Sequence, residues 1–251
     1  MGKKLKILGL IPTRLNSVRL PQKALLKIGK LPLIIHVYRR AKLSKKLDDV
    51  IICCDDKIIF DVAKKYKAKA MLTSKFHLNG SERCFEAYLK LKKKYNLILD
   101  IQGDEPLISP HHINQVIEFH KKNLDADIII PNIKIPYANN TNIVKVIFNK
   151  KNEILYLSRA NIPYQFKKQT KIIYKHLSII SFTPNSLRDY CESKQSLLEK
   201  IEDVEHLRAL DLGLKLKTIT LKGDSFSVDI YDDYQKAKNK MINDKFYKLY
   251  K

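Results

Sequence analysis

Short apolar runs alternate with longer amphipathic stretches through the first half of the chain. Ile7–Ile11, Val50–Cys54, Leu97–Ile101 and Ile128–Ile130 are dominated by Ile, Leu, Val and Cys, the pattern of strands covered on both faces. Leu33–Leu43, Phe60–Tyr66, Ser81–Lys93 and His112–Lys122 space their apolar residues as one face of a helix does. This alternation predicts a Rossmann-like α/β protein, with a mixed, mostly parallel sheet and helices on both of its faces. Ligands of such sheets bind beyond the carboxyl ends of the strands. The loops after Ile11, Cys54 and Ile101 are therefore where chemistry is expected.

The rhythm breaks in the second half. Val144–Phe148, Ile154–Leu157 and the long run Ile172–Phe182 read as antiparallel or mixed strands, followed by helical stretches at Asn185–Cys191 and Glu202–Leu212. Leu216–Leu221 reads as a late strand and Asp232–Asn243 as a closing helix. With no Pro-, Gly- or Ser-rich linker and no internal repeat, residues 1–251 read as one domain carrying a β-rich segment, about 132–212, for substrate binding or dimerisation.

Composition changes this picture little. The hydrophobic share of 45% and charged share of 29% suit a folded globular chain. A net charge of +22 would attract nucleic acid, anionic lipid or phosphorylated small molecules. Forty of the 48 basic residues are lysine, however, scattered over helix faces such as 90–94, and they read mostly as solvated surface. The few arginines are then the informative cations. Cys53, Cys54, Cys84 and Cys191 form no metal or disulfide pattern and read as buried thiols in a reducing cytoplasm. The amino terminus is basic, but its apolar run is too short for a leader and reads as a strand. No stretch approaches the roughly 20 apolar residues of a membrane span, so a soluble protein without membrane insertion is expected.

The loop after the first run gathers Arg14, Ser17, Arg19 and Lys23 between Pro12 and Pro21, in a stretch too irregular for a helix. Cations converging at a strand's carboxyl end suit a triphosphate, although the glycines of a P-loop or dinucleotide fingerprint are absent. A basic surface loop is the plainer alternative. His77-Leu78-Asn79-Gly80-Ser81-Glu82-Arg83 leads into a helix whose free amides suit an anion or a nucleobase carbonyl, with Ser81 equally readable as a cap. In Leu99-Asp100-Ile101-Gln102-Gly103-Asp104-Glu105-Pro106, an apolar strand delivers Asp104 to the mouth of the sheet. Mg²⁺ is commonly held by one or two carboxylates plus substrate phosphates, and an ion pair with the basic loop is the alternative. Asp229, between Val228 and Ile230, is a second acidic candidate that its local pattern leaves undecided, whereas Asp232 and Asp233 read as helix-start carboxylates. Arg159 among apolar residues requires an acidic partner or ligand. His176 reads as a core histidine or a ligand group, and Glu202, Glu205 and Arg208 as neighbours on one helix.

Taken in order, IPTRLNSVRLPQK, HLNGSERCFEA, IQGDEPLI, YLSRANIP, KHLSI, LEKIEDVEHLR and SVD resemble the motifs of the 3-deoxy-manno-octulosonate (Kdo) cytidylyltransferases, from about Ile7 to the last helix. The resemblance implies a nucleotide-diphospho-sugar transferase fold. It also implies formation of CMP-Kdo and pyrophosphate from CTP and Kdo by a Mg²⁺-dependent cytoplasmic homodimer, for lipopolysaccharide assembly in Gram-negative bacteria. Residue by residue, it places Arg14, Ser17, Arg19 and Lys23 on the CTP phosphates and Arg83 and Gln102 at the cytidine. Asp104 and Asp229 become the metal-binding pair, Arg14, Lys23 and Asp104 the catalytic set, and Arg159, His176 and Glu205 the groups around the sugar.

Four departures stand out: Gln22 where the family's pattern has Gly, Ile180 for Tyr, His206 for Gln and Ser227 for Gly. They cluster on the sugar side and keep 8-amino-Kdo, or another 2-keto acid sugar, as alternative acceptors. The implied reaction is in-line attack of the anomeric 2-hydroxyl on the α-phosphorus of CTP. A nucleotidyltransferase for another base and a nucleic-acid-binding module are the competing readings. The second lacks the interleaved aromatic residues that stack bases.

Overall fold

The computed structural model describes residues 5–251, so the first four residues of the amino-terminal stretch lie outside the described residues. The described residues divide into two compact units, 5–114 with 225–251, and 115–224.

The first unit runs through β1 (Ile7–Thr13), the short pair β2 (Lys27–Ile28) and β3 (Leu31–Pro32), α1 (Leu33–Lys42), β4 (Asp49–Cys54), α2 (Lys57–Lys65), β5 (Ala70–Leu72), α3 (Gly80–Lys90), β6 (Leu97–Ile101) and the start of α4 (Pro110–Lys122). Its strands lie parallel in the order β6-β1-β4-β5. β6 is buried throughout and β1 along all but its last residue, as the uninterrupted apolar runs require. Side-chain caps set the starts of α2 and α3. Asp56 accepts the Ile58 N–H at 2.7 Å, which begins α2 three residues before the periodicity shows it. Asn79, not Ser81, caps α3 by accepting the Glu82 N–H at 2.9 Å. Ser81 lies inside the helix and donates its hydroxyl to Asp100 at 3.4 Å.

The second unit holds β7 (Ile128–Ile129), β8 (Asn132–Pro136), β9 (Lys145–Phe148), β10 (Ile154–Ser158), β11 (Ile172–His176), β12 (Ile179–Phe182), α5 (Pro184–Glu192), α6 (Leu197–Glu202), α7 (Leu207–Asp211), β13 (Leu216–Lys217) and β14 (Thr220–Leu221). Five strands form a sheet in the order β10-β9-β11-β8-β14, while β7 pairs antiparallel with β12 and parallel with β13. The apolar run at 172–182 is thus two strands in two sheets, divided at Leu177-Ser178, and the run at 216–221 divides in the same way. The expected helix at 202–212 is also two. Asp203 takes a left-handed conformation, φ 50°, ending α6. Glu205 then falls in a turn, and the expected one-helix neighbourhood of Glu202, Glu205 and Arg208 is replaced by a pairing of Arg208 with Glu199. The chain returns to the first unit as α8 (Tyr231–Ile242), and the stretch before it is irregular.

Cys53, Cys54 and Cys84 are buried as expected, and Cys191 is half-buried. Lys145 departs from the reading of lysine as solvated surface. It is buried, donates to the carbonyls of Asn140 at 2.7 Å and Arg159 at 2.5 Å, and burial lowers its pKa. Among the described residues no helix is long and apolar enough to cross a membrane.

Several histidines are buried neutral. Burial lowers His36, which contacts Tyr250 Oη and the Ile28 carbonyl, to about 4. It does the same to His120, held by Ser181 Oγ and the Ala126 carbonyl, and to His176. Because the unfolded chain takes up these protons near pH 6.5 and the folded chain only near pH 4, stability is complete above about pH 6.5 and falls as pH drops toward 4. Carboxylates are still ionised in the upper part of that window. The urea midpoint should therefore hold steady from pH 8 to 7 and fall between about pH 6.5 and 5; a midpoint that rises on acidification over that range contradicts the buried-neutral assignment.

Candidate functional site

At the carboxyl ends of β1 and β6 the first unit forms an open cavity of about 300 Å³. The basic loop supplies one wall. Gln22, at φ 51°, turns the backbone through the left-handed region into a 3-10 turn, Lys23–Leu25. This is the position where the family's pattern has Gly, and the conformation explains the preference for a residue without Cβ. From the turn Lys23 donates to Asp104 Oδ2 at 2.9 Å and to Asp229 Oδ1 at 3.3 Å. Arg19 donates to the same Asp229 oxygen at 2.9 Å. Arg14 and Ser17 also line the cavity, and their side chains have no hydrogen-bond partner among the described residues.

The two carboxylates arrive from distant parts of the chain. Asp104 follows β6; Asp229 precedes α8, and the Val228 N–H donates to the Asp104 carbonyl at 2.9 Å, joining the segments. Asp233 accepts the N–H groups of Asp229 and Ile230 at 3.2 and 3.3 Å, the helix-start role expected of it. Asp104 and Asp229 therefore face one point, now occupied by the Lys23 ammonium. Among the described residues no group of three or more metal-type side chains gathers, so any cation here would take the rest of its ligands from substrate and water.

The other end of the cavity is made by β6 and the start of α3. Gln102 Nε2 donates to Asp100 Oδ1 at 3.0 Å, which fixes its amide. Arg83 is buried and donates to Thr73 Oγ1 at 2.7 Å and the Ser74 carbonyl at 2.9 Å, with Asp55 Oδ2 at 3.9 Å. Arg14, Ser17, Arg19, Lys23, Arg83, Gln102, Asp104 and Asp229 thus line a single cavity. His77 and Asn79 line it too and were given no role from sequence, although both stand in a motif picked out for its position before a helix.

Gly103 lets β6 deliver Asp104 here. A Cβ at this position would lie 2.6 Å from the Pro12 carbonyl oxygen of β1 and 3.2 Å from Ile34 Cδ1. Since the nearest atom is strand backbone, relief requires moving the loop that bears Asp104. Gly103→Ala should destabilise the fold by about 2 kcal/mol and lower turnover; an unchanged urea midpoint with full activity would show that the close approach is not needed.

The remaining sequence candidates lie in the second unit. Arg159 is half-buried, its side chain 32% exposed, and it is paired: Nε donates to the Glu202 carbonyl at 2.9 Å, and Nη2 reaches the Asp203 carbonyl at 2.9 Å and carboxylate at 3.3 Å. His176 and His206 pack with ring centroids 5.4 Å apart, and the Nε2 of each is buried without a hydrogen-bond partner among the described residues. Glu205 Oε1 lies 3.8 Å from His206 Nε2, and the Tyr190 hydroxyl donates to Glu205 Oε2 at 3.4 Å. His176 and Glu205 are therefore linked through His206, one of the departures from the family's pattern.

A family model described as Cytidylyltransferase matches residues 8–219. The 3-deoxy-manno-octulosonate cytidylyltransferase of Thermodesulfovibrio yellowstonii is 38% identical over 241 residues, covering 90% of this chain and 94% of that protein. The 8-amino-3,8-dideoxy-manno-octulosonate cytidylyltransferase of Shewanella baltica is 33% identical over 241 residues, with 94% and 98% covered. Among solved structures, a CMP:2-keto-3-deoxy-manno-octonic acid synthetase complexed with CTP superposes with a TM-score of 0.89 at 27% identity, covering 94% of this chain and 98% of that one.

Proposed function

This chain belongs to the 3-deoxy-manno-octulosonate cytidylyltransferase family, and from that premise we propose that it transfers CMP from CTP to the anomeric hydroxyl of Kdo, releasing pyrophosphate. The observation that carries the reading is the convergence of Lys23 and Arg19 on Asp104 and Asp229 in one cavity. The sugar's 2-hydroxyl oxygen attacks the α-phosphorus in line, the bond from that phosphorus to the bridging α–β oxygen breaks, and the hydroxyl proton leaves to solvent. Arg14, Arg19, Ser17 and Lys23 hold the triphosphate and neutralise the pyrophosphate as it departs, and much of the acceleration comes from charge placed before the reaction begins. Arg83 and Gln102 bind the nucleoside end.

Mg²⁺ fits the donor set, because two carboxylates facing one cation leave its other positions to phosphate oxygens and water. Asp104 and Asp229 would hold it, and it would supply charge neutralisation and a lowered hydroxyl pKa. Lys23 must then release at least one carboxylate when CTP binds, moving its ammonium to a phosphate. Arg159, His176 and Glu205 are assigned to the acceptor by family resemblance. Homodimerisation, a cytoplasmic location and a place in lipopolysaccharide assembly belong to the same proposal.

The second acceptor to consider is 8-amino-Kdo, favoured by the Shewanella relative and by His206 beside His176. Pyrophosphate release should be assayed with Mg²⁺ and CTP across Kdo, 8-amino-Kdo and sialic acid, with UTP and ATP as nucleotide controls. Release with CTP and Kdo is expected. Release with 8-amino-Kdo alone would replace the acceptor, and release with UTP or ATP in preference to CTP would overturn the nucleotide.

A further inference from the structure

His77 lines the nucleoside end of the cavity, and its ring is fixed from behind. Its Nε2 contacts Glu86 Oε2 on α3. The same carboxylate accepts the Ser74 N–H at 2.8 Å and an ion pair from Lys90 at 2.6 Å. Partial burial alone would raise the pKa of Glu86, yet the hydrogen bonds from Lys90, Ser74 and His77 together hold it at about 2. Glu86 is therefore a carboxylate at every working pH. A carboxylate takes the Nε2 hydrogen, and in the neutral ring this leaves Nδ1 as a bare acceptor. No partner for Nδ1 occurs among the described residues. His77 thus lines the cavity with an oriented ring whose Nδ1 is open, on the loop that leads to the Asn79 cap of α3.

We propose that His77 is a nucleoside-reading residue, its Nδ1 accepting a hydrogen bond from a donor on the bound nucleotide, and that Glu86 is the positioning residue that sets the ring. CTP offers two such donor types in its nucleoside part, the ribose hydroxyls and the exocyclic amine of the base. The inference rests on the cavity being the CTP site. Glu86 acts only through His77 and the Ser74 backbone, so its removal should weaken nucleotide binding without touching the reacting atoms.

Calorimetric titration without sugar acceptor separates this inference from the reaction itself. Titrations of the wild type, His77→Ala, Glu86→Ala and Glu86→Gln with CTP, 2′-deoxy-CTP, 3′-deoxy-CTP and UTP would provide the comparison. Wild-type protein should bind CTP, and His77→Ala should bind it on the order of fivefold to tenfold more weakly, the weight of one hydrogen bond. That loss should vanish for the one analogue lacking the donor that His77 reads: a deoxy analogue if the donor is a hydroxyl, UTP if it is the amine. Glu86→Ala should follow His77→Ala, and Glu86→Gln should restore part of the affinity, with kcat near wild type in both. An equal loss for all four nucleotides, or no loss at all in a variant that keeps the wild-type Tm, overturns the role of His77. Failure of the wild type to bind any of the four nucleotides would instead overturn the assignment of the cavity.

Discussion

Replacing Asp104 by Asn should reduce pyrophosphate release from CTP and Kdo by about a thousandfold or more, the scale seen when a group that stabilises transition-state charge is removed. The substitution keeps the shape of the side chain and removes its charge, and the amide has only one oxygen where the carboxylate has two. Lys23 now bridges Asp104 and Asp229, and with Asn in place it would settle on Asp229 alone, 3.3 Å away. A single carboxylate is then left for a divalent cation, and it is already paired with an ammonium. The fold should survive. The Asp104 side chain is 28% exposed, and an ion pair of that kind contributes at most about 1 kcal/mol. Calorimetry should still detect CTP, because Arg14, Arg19 and Lys23 remain to hold phosphates. Wild-type turnover by Asp104→Asn would remove Asp104 from the catalytic set.

The largest effect on stability is expected in the second unit, at Glu199→Gln. Arg208 is buried, and its guanidinium meets the Glu199 carboxylate as a fork: Nε to Oε2 at 2.7 Å and Nη2 to Oε1 at 2.7 Å. The Tyr190 ring lies 4.4 Å from the guanidinium carbon, and Nη1 reaches the Tyr190 and Ser193 carbonyls at 3.3 and 3.4 Å. These contacts satisfy donors, and the Glu199 carboxylate cancels the charge at bonding distance. Breaking a buried pair by neutralising one partner typically costs about 3–5 kcal/mol, since the other charge stays desolvated. For a chain of this size that corresponds to a fall in Tm of roughly 6–20 °C. Changing both residues together, Glu199→Leu with Arg208→Met, should recover much of the loss, because a buried ion pair contributes little relative to an apolar replacement. A Glu199→Gln Tm within the error of wild type would mean the Arg208 charge reaches water.

These two sites differ in how far the sequence reveals them. Asp104 was legible because an uninterrupted apolar run, Leu97–Ile101, ends in Gln-Gly-Asp, and buried parallel strands release their ligands at that end. Asp229 was not legible from its surroundings. The segment before α8 is irregular, and tertiary contacts bring it to the site, among them the hydrogen bonds from Val228 to the Asp104 carbonyl and from Ser225 Oγ to Glu105. The pairing of Arg208 was misread because spacing on one helix assumes that the helix is continuous, whereas Asp203 adopts φ 50° and breaks it. A left-handed Asp leaves little trace in hydrophobic periodicity. The runs at 172–182 and 216–221 hid their breaks for the same reason: an apolar stretch reads identically whether it stays in one sheet or passes between two. The cap at Asn79 was legible in principle, since it accepts from Glu82 three residues on, but Ser81 competed for the role.

The central claim is chemical, that CMP is joined to Kdo through the α-phosphorus of CTP. Phosphorus-31 NMR of purified protein with CTP, Kdo and Mg²⁺ tests it most directly. The account predicts a new phosphodiester resonance, growing one for one with pyrophosphate as the CTP signals decline, and neither product when Kdo is omitted. Release of orthophosphate with CDP, or pyrophosphate with free CMP and no phosphodiester, would contradict it.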